Sequence, residues 1–501
     1  MNSEPAGSGT TDESADSAND AKPAAAAKAA ESAGAVASRD VAGRGSIYAI
    51  GTAAPILANA AVVPLVTRLL GKPEYGVVAI ALVVLQVTMM AASLGIPSVI
   101  TRQGILAGSG VAGARALLVR GSLMTVGIVS AVILSAPLWD PLVPTPLRSA
   151  VLLALAASAF FVVVESSQAL LRVLDRPGAF VALSLAATLG GPLIGLGLLA
   201  FSAPVRSPER YLGGLTAGYA AAAAVGLVLS LRGGRPRRNR GDTRAALALG
   251  LPVIPHLVAL FLANGALVFL AGQLYDIATA GRIQLALLVG SSPAVVISAL
   301  NNSWAPIIYR AREQERGAVL AHTARDITTL TALISGGVAL LSPWLMRLVA
   351  DNSFAPLELV PAVAVTTFGC VLSVAYLANV HLVFAAGRSL GLSLVTPLSL
   401  LTGLTLAYLA GRQSVVLLAF GFPAMYAALV VGTAWLRRHV RGATWSEGAL
   451  LLPTGLGLGL CALGGVLPTS GTAALFRVAV AALAGVGALR LAHRVLGRRE
   501  Q

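Results

Sequence analysis

The sequence predicts an all-α polytopic membrane protein of about 14 transmembrane helices, built as two parallel-repeat six-helix lobes plus two C-terminal helices. Three observations lead there. The first is composition: 56% of the 501 residues are hydrophobic and 11% charged, and mean hydropathy is +0.81. Soluble domains carry about 25% charge, and a soluble core could not hide this much apolar surface. The second is the recurrence of apolar runs of about 20 residues, the length that crosses ~30 Å of hydrocarbon as a helix. The third is an internal repeat.

The first element, 1–45, is expected to be a disordered cytoplasmic tail. It is rich in Ala, Ser and Gly and carries Glu4, Asp12, Glu13, Asp16, Asp20, Glu31 and Asp40. Such a stretch buries too little to offset its ordering entropy. No apolar stretch with a small-residue cleavage site follows a basic start, so it does not read as a secretory signal. The expected spans follow at 46–66, 77–100, 116–137, 149–171, 179–201, 211–231, 247–270, 279–303, 327–349, 360–384, 389–410, 414–436, 449–468 and 472–493. They group as an N-lobe (46–231), a basic cytoplasmic linker (232–246), a C-lobe (247–436) and a terminal pair with its tail (437–501).

Net charge is +15, from 36 Lys+Arg against 21 Asp+Glu. The positives lie in short connectors and form no aromatic-laced face, so they write membrane topology rather than nucleic-acid binding. With both termini cytoplasmic, the inside connectors hold 23 of the 36, including Arg232, Arg235, Arg237, Arg238, Arg240 and Arg244, and the outside ends hold nine. The other four precede the first span. Cys370 and Cys461 both fall inside apolar runs and are read as small packing residues.

The repeat appears when 57–84 is laid on 262–289, a shift of 205 without gaps. Eleven of 28 positions are then identical, among them Asn59 with Asn264 and Gly76 with Gly281. Span seven restarts on the same side as span one, so the repeat is parallel. Paired parallel lobes suit alternating access around a site near the midplane.

Polar residues inside the spans are costly unless they face the bundle or a watery cavity. Span four holds Glu165, with Gln168 and Arg172 on the same helical face. Two readings stay open for Glu165: an ion or head-group site, or an inter-helix hydrogen bond. Span one carries Thr52 and Asn59 on a stripe with Tyr48 and Pro55, which is read as cavity lining. Asn264 occupies the matching place in span seven. His256, after Pro252 and Pro255, is more often structural than a proton carrier. Gln284 and Asn302 continue a polar line along span eight. Arg102 is either an interfacial anchor or a bidentate donor to phosphate. Tyr376, Asn379 and His381 form a further polar group without an assigned role. No Walker loop, HExxH, clustered metal ligands or nucleophile elbow is present. The expectation is therefore no enzyme, no cofactor and no metal.

Several of these segments resemble a known family. Arg68-Leu69-Leu70-Gly71-Lys72-Pro73-Glu74-Tyr75-Gly76 is similar to the connector between the first two spans of polysaccharide flippases. These are Wzx-like members of the multidrug/oligosaccharidyl-lipid/polysaccharide exporter superfamily. Leu94-Gly95-Ile96-Pro97 followed by Arg102, Leu251-Pro252-Val253-Ile254-Pro255, and Ser303-Trp304-Ala305-Pro306 resemble three further motifs of that family, in order. Many relatives have an Asp-Arg pair just after the place of Asn264, where this chain has Gly265-Ala266. The resemblance implies a flippase that moves an undecaprenyl-diphosphate-linked oligosaccharide from inner to outer leaflet. It implies a bacterial inner-membrane location, and membrane lipids and pathway glycosyltransferases or a polymerase as partners. A multidrug or small-cation exporter of the same superfamily and a non-transporting membrane scaffold are the alternatives.

Overall fold

The structure, a computed structural model, describes residues 61–106, 110–201, 205–234, 236, 240–385, 389–439 and 444–497. These form helices, turns and irregular connections, with no strand among the described residues. Twelve helices are long and apolar enough to cross a membrane, and a bent pair, Ile277–Gly290 with Pro293–Asn301, makes a thirteenth. Ala61–Leu70 is the described end of the first expected span. The expected count of about 14 is roughly compatible with these helices.

The N-lobe contains α1 (Ala61–Leu70), α2 (Lys72–Ala92), α3 (Ile96–Leu106), α4 (Gly110–Leu134), α5 (Arg148–Val173), α6 (Pro177–Ala200) and α7 (Pro208–Leu231). A connecting helix, α8 (Arg240–Gly250), leads to the C-lobe. There lie α9 (Ile254–Leu274), α10 (Ile277–Gly290), α11 (Pro293–Arg310), α12 (Glu313–Val349), α13 (Val360–Ala385), α14 (Leu392–Gly411) and α15 (Gly421–Arg438). The last two helices, α16 (Leu451–Val466) and α17 (Gly471–Gly497), pack on α12, and α16 also touches α13. The arginine-rich ends of the helices are called the basic end below, and the other ends the opposite end.

Four details depart from the sequence reading, each for a local reason. Span two does not run unbroken to residue 100. It stops at Ala92 and restarts at Ile96 because Leu94 and Gly95 take left-handed φ values of 52° and 69°. Gly95 sits so close to Gly250 that a Cβ would lie 2.7 Å from its Cα, so this break is where α8 seats on the N-lobe. Within the expected linker, residues 240–246 are accordingly helical. Its Ala246 is buried with Ile96, Ile100 and Leu117, and Arg120 Nη1 donates to Thr243 Oγ1 at 2.8 Å. Span nine begins at Glu313, well before 327. Its 37 residues reach about 55 Å at 1.5 Å per residue, so its charged first turns project beyond the hydrocarbon. Span five contains a π-turn at Ala186–Gly190. Pro192 lacks the amide that would bond Thr188 O, which loosens the ladder there.

The two lobes meet through α2, which packs on both α9 and α10. The start of α10 is fixed by Asp276, whose Oδ1 accepts from the Thr279 amide at 2.6 Å. The Thr279 hydroxyl and amide hold the Asp276 carboxyl below its ordinary pKa. Asp276→Ala is expected to cost about 1 kcal/mol, the usual worth of an N-cap. A lowered folded-state pKa means that the cap contributes fully above the ordinary carboxylate range and fades as pH falls through the lowered value. The melting difference between Asp276→Ala and the parent in detergent should therefore be present at pH 7 and shrink under strong acid.

Candidate functional site

Between the lobes lies a cavity of about 270 Å³. Its walls come from α1, α2, α5, α6 and α7 on one side and from α9 and α10 on the other. The polar atoms come from five side chains. Gln86 projects from α2 and Gln284 from α10, and Tyr75, Tyr211 and Tyr219 add hydroxyls. Tyr211, Leu215 and Tyr219 recur every four residues, so they form one stripe of α7. Phe161 of α5 also lines the cavity, and its ring meets that of Tyr219 edge-on at 4.9 Å. No charged residue is among the described lining residues. Amides and phenols over an aromatic wall can bond hydroxyl-rich neutral groups without a fixed ion-exchange charge.

At the opposite end the lobes are closed on one another. Gly76 of α2 and Gly281 of α10, equivalent in the repeat, face each other: a Cβ on Gly281 would lie 3.0 Å from Gly76 Cα. A Cβ on Gly76 would lie 1.9 Å from Ile277 O. Residues exchanged by a pseudo-two-fold axis meet where that axis passes between them, so the crossing of α2 and α10 marks it. The end of α1 also caps the C-terminus of α12. Thr67 Oγ1 donates to Val349 O at 2.8 Å and Arg68 Nη2 to Leu348 O at 3.0 Å. These are helix-end carbonyls without intrahelical partners. Tyr75 meets Phe354 edge-on at 5.9 Å. Arg282 holds the Phe354 segment through Phe354 O at 2.9 Å and Glu358 at 2.5 Å.

Of the residues singled out from sequence, Gln284 lines this cavity. Glu165 and Gln168 are half-buried on α5. Glu165 lies one turn from Phe161 on the same face, toward the basic end. Arg172 is exposed, and its guanidinium lies 5.5 Å from the Phe180 ring of α6. Arg102 is exposed on α3. His256 is buried, and its Nδ1 lies 2.7 Å from Thr396 Oγ1, which ties α9 to α14 within the C-lobe. Asn264 is half-buried, and its Oδ1 is buried without a hydrogen-bond partner in the structure. Thr52 and Asn59 lie outside the described residues, as does the side chain of Asn302, whose backbone belongs to α11.

Gln86 and the three tyrosines were not singled out from the sequence. Gln86 is the only Gln of α2, and the eight-residue, two-turn spacing of Tyr211 and Tyr219 was legible, but neither carries a charge that draws attention in an apolar span. The unassigned group of span ten is packing. Asn379 Oδ1 accepts from Trp445 Nε1 at 3.1 Å, and the His381 ring meets Trp304 at 4.8 Å.

No protein-family model matches the chain, and no curated protein does either. Solved structures do share its fold. An inward-facing multidrug-resistance MATE family transporter of the MOP superfamily superposes with a TM-score of 0.63 at 16% identity, covering 78% of this chain and 95% of that one. The lipid II flippase MurJ in an inward closed conformation gives 0.62 at 13% identity, covering 89% and 98%. A MATE P26A mutant gives 0.57 at 13% identity, covering 80% and 96%. The chain has the fold of these membrane transporters.

Proposed function

We propose that the protein is a flippase that carries the head group of a lipid-linked oligosaccharide from the cytoplasmic to the outer leaflet. The lobes rock about the cavity as they do so, parting and closing at the α2–α10 crossing. The observation that carries this reading is the inter-lobe cavity, polar through amides and phenols and without charge among its described lining. Sugar hydroxyls can exchange water for Gln86, Gln284 and the tyrosine hydroxyls at little net cost. A cation exporter calls for a carboxylate in the same place, because a cation leaves water only against an opposite charge. The basic end is taken as cytoplasmic. The arginines there, Arg102 among them, form a positive rim that attracts a diphosphate before it enters. The motif resemblance to Wzx-like flippases and the fold shared with a lipid II flippase support the same reading.

The test is reconstitution of the full chain into liposomes with a fluorescent lipid-linked oligosaccharide. Outward appearance of the head group is then read with an impermeant glycosidase. Gln86→Ala and Gln284→Ala are each expected to slow crossing roughly three- to tenfold, since one hydrogen bond is worth about 0.5–1.5 kcal/mol and about 1.4 kcal/mol is tenfold. Crossing that is no faster with protein than without it would sink the proposal.

A further inference from the structure

On the lipid side of the lobe seam, α2, α9 and α14 enclose a groove of about 620 Å³. Its walls are hydrocarbon, with Val83 and Val87 from α2, Leu262 and Ala266 from α9, and Leu401 and Leu404 from α14. Thr88 stands toward the basic end, and Gln273 and Tyr408 toward the opposite end. From Leu262 to Gln273 the α9 wall runs for about 16 Å at 1.5 Å per residue.

The groove shares its inner wall with the cavity. On α2, Leu82 and Gln86 face the cavity while their neighbours Val83 and Val87 face the groove. On α9, Phe261 faces the cavity and Leu262 the groove. The wall is thinnest in side chain at Gly265, where a Cβ would lie 2.7 Å from Val83 Cγ1. Ala266 beside it leaves room on the groove side. An ordinary phospholipid keeps its head at a membrane face, so its chain gains nothing from lying along a polar chamber at mid-depth. A lipid whose head is inside the chamber must send its chain out sideways at that depth, and a dry channel alongside is where the chain keeps its burial.

We propose that this groove is the seat of the substrate's polyisoprenyl chain during transport. The head group sits in the cavity and the linking diphosphate passes between α2 and α9, on the basic side of the Gly265–Val83 contact. The proposal rests on the flippase reading and adds where the lipid moiety travels.

The experiment compares two substrates with the same oligosaccharide diphosphate, one on a long polyisoprenyl chain and one on a chain of two isoprene units, in liposomes holding the full protein. Ala266→Trp fills the groove. Leu401→Trp fills it from a position 58% exposed, where folding is not at stake. Both variants are expected to slow the long-chain substrate at least tenfold and the short-chain substrate less than twofold. Undiminished long-chain transport would overturn the groove and leave the flippase reading standing. Equal loss for both substrates would also overturn it, because the substitutions would then act on the lobe motion. Wild-type protein that moves neither substrate would remove the flippase reading and this proposal together. Photolabelling is the second readout. A diazirine-bearing polyisoprenyl diphosphate should mark peptides containing Leu262–Ala266 or Leu401–Leu404, displaced by unlabelled substrate. Equal marking by a diazirine phospholipid that substrate does not displace would assign the groove to bulk lipid.

Discussion

Gly76→Leu is expected to abolish transport while leaving the protein folded and inserted. The reason lies in what surrounds the missing side chain. A Cβ at residue 76 would stand 1.9 Å from Ile277 O and 2.6 Å from Ile277 C. Both are backbone atoms at the start of a capped helix, so no rotamer change relieves the clash, and α2 and α10 must separate at the opposite end. The buried clusters around Ile100 and Leu170 and around Val163 and Phe180 lie away from this crossing, so the strain is expected to be met by rocking rather than by unfolding. Overpacking of this kind costs about 1–3 kcal/mol even where neighbours can give. Against backbone it falls at or above the top of that range, and about 3 kcal/mol is a population shift of roughly 100-fold. The closed arrangement at the opposite end then becomes a minor state, and a cycle that must pass through it slows in proportion.

Conformation can be read apart from transport. In a background with Cys370→Ala and Cys461→Ala, a cysteine introduced by Tyr211→Cys sits in the cavity at a position 6% exposed. An impermeant maleimide applied from the opposite side should label it slowly in the parent and quickly with Gly76→Leu. Gly127→Leu is the control, because a Cβ at Gly127 has nothing within 4 Å. Unchanged labelling together with retained transport would show that the α2–α10 contact does not gate the cavity.

The same glycine pair shows how far the sequence could be read. That Gly76 and Gly281 are equivalent follows from sliding the chain on itself. That they touch does not, because a repeat gives equivalence and not the position of the axis. The spans were legible because a run of about 20 apolar residues has one cheap way to be buried in lipid. The cavity face was not, because α2, α5 and α9 are apolar almost all round, and periodicity then cannot say which side of a helix looks inward. Search by charge drew attention to Glu165, Arg172 and His256. The structure places Arg172 against the Phe180 ring and His256 in a hydrogen bond inside the C-lobe. The groups that face the chamber are neutral ones, and Gln284 was found only because it continued a polar line along its helix. Gly265 and Ala266 stand at the α2–α9 seam, where Gly265 lets α9 close on Val83.

Arg477 is the clearest case of a residue whose sequence position misleads, and it carries the largest expected effect on stability. Near the opposite end of the last span it has the sequence position of a topology-setting charge, yet it is 0% exposed. Its guanidinium donates to Leu340 O at 3.0 Å, Leu467 O at 2.7 Å and Ala339 O at 3.4 Å, and also to Gly464 O. Two of these acceptors stand at a helix end, whereas on α12 Ala339 O also accepts from Ser342 Oγ at 2.7 Å. Pro343 lies inside α12 and lacks the amide that would bond Ala339 O. Gly464 O belongs to the last turn of α16, and Leu467 follows it, so these carbonyls have no intrahelical donor. One planar group with five N–H donors satisfies that helix end and also reaches the proline-containing turn of α12, and it does so on α17, docking the terminal pair to the C-lobe. Arg477→Met keeps much of the volume and removes the donors. The Gly464 and Leu467 carbonyls, left without that donor, cost about 1–3 kcal/mol each. Little is regained by removing the charge, because the carbonyl cage already solvates it. A net loss of about 2–4 kcal/mol is expected on that basis, seen as a lower melting midpoint in detergent and as faster proteolysis between α16 and α17. Arg477→Lys keeps the charge but offers three donors from one point, so it should fall between the two. Melting of Arg477→Met at the parent temperature would show that the terminal helices are held by their apolar faces alone.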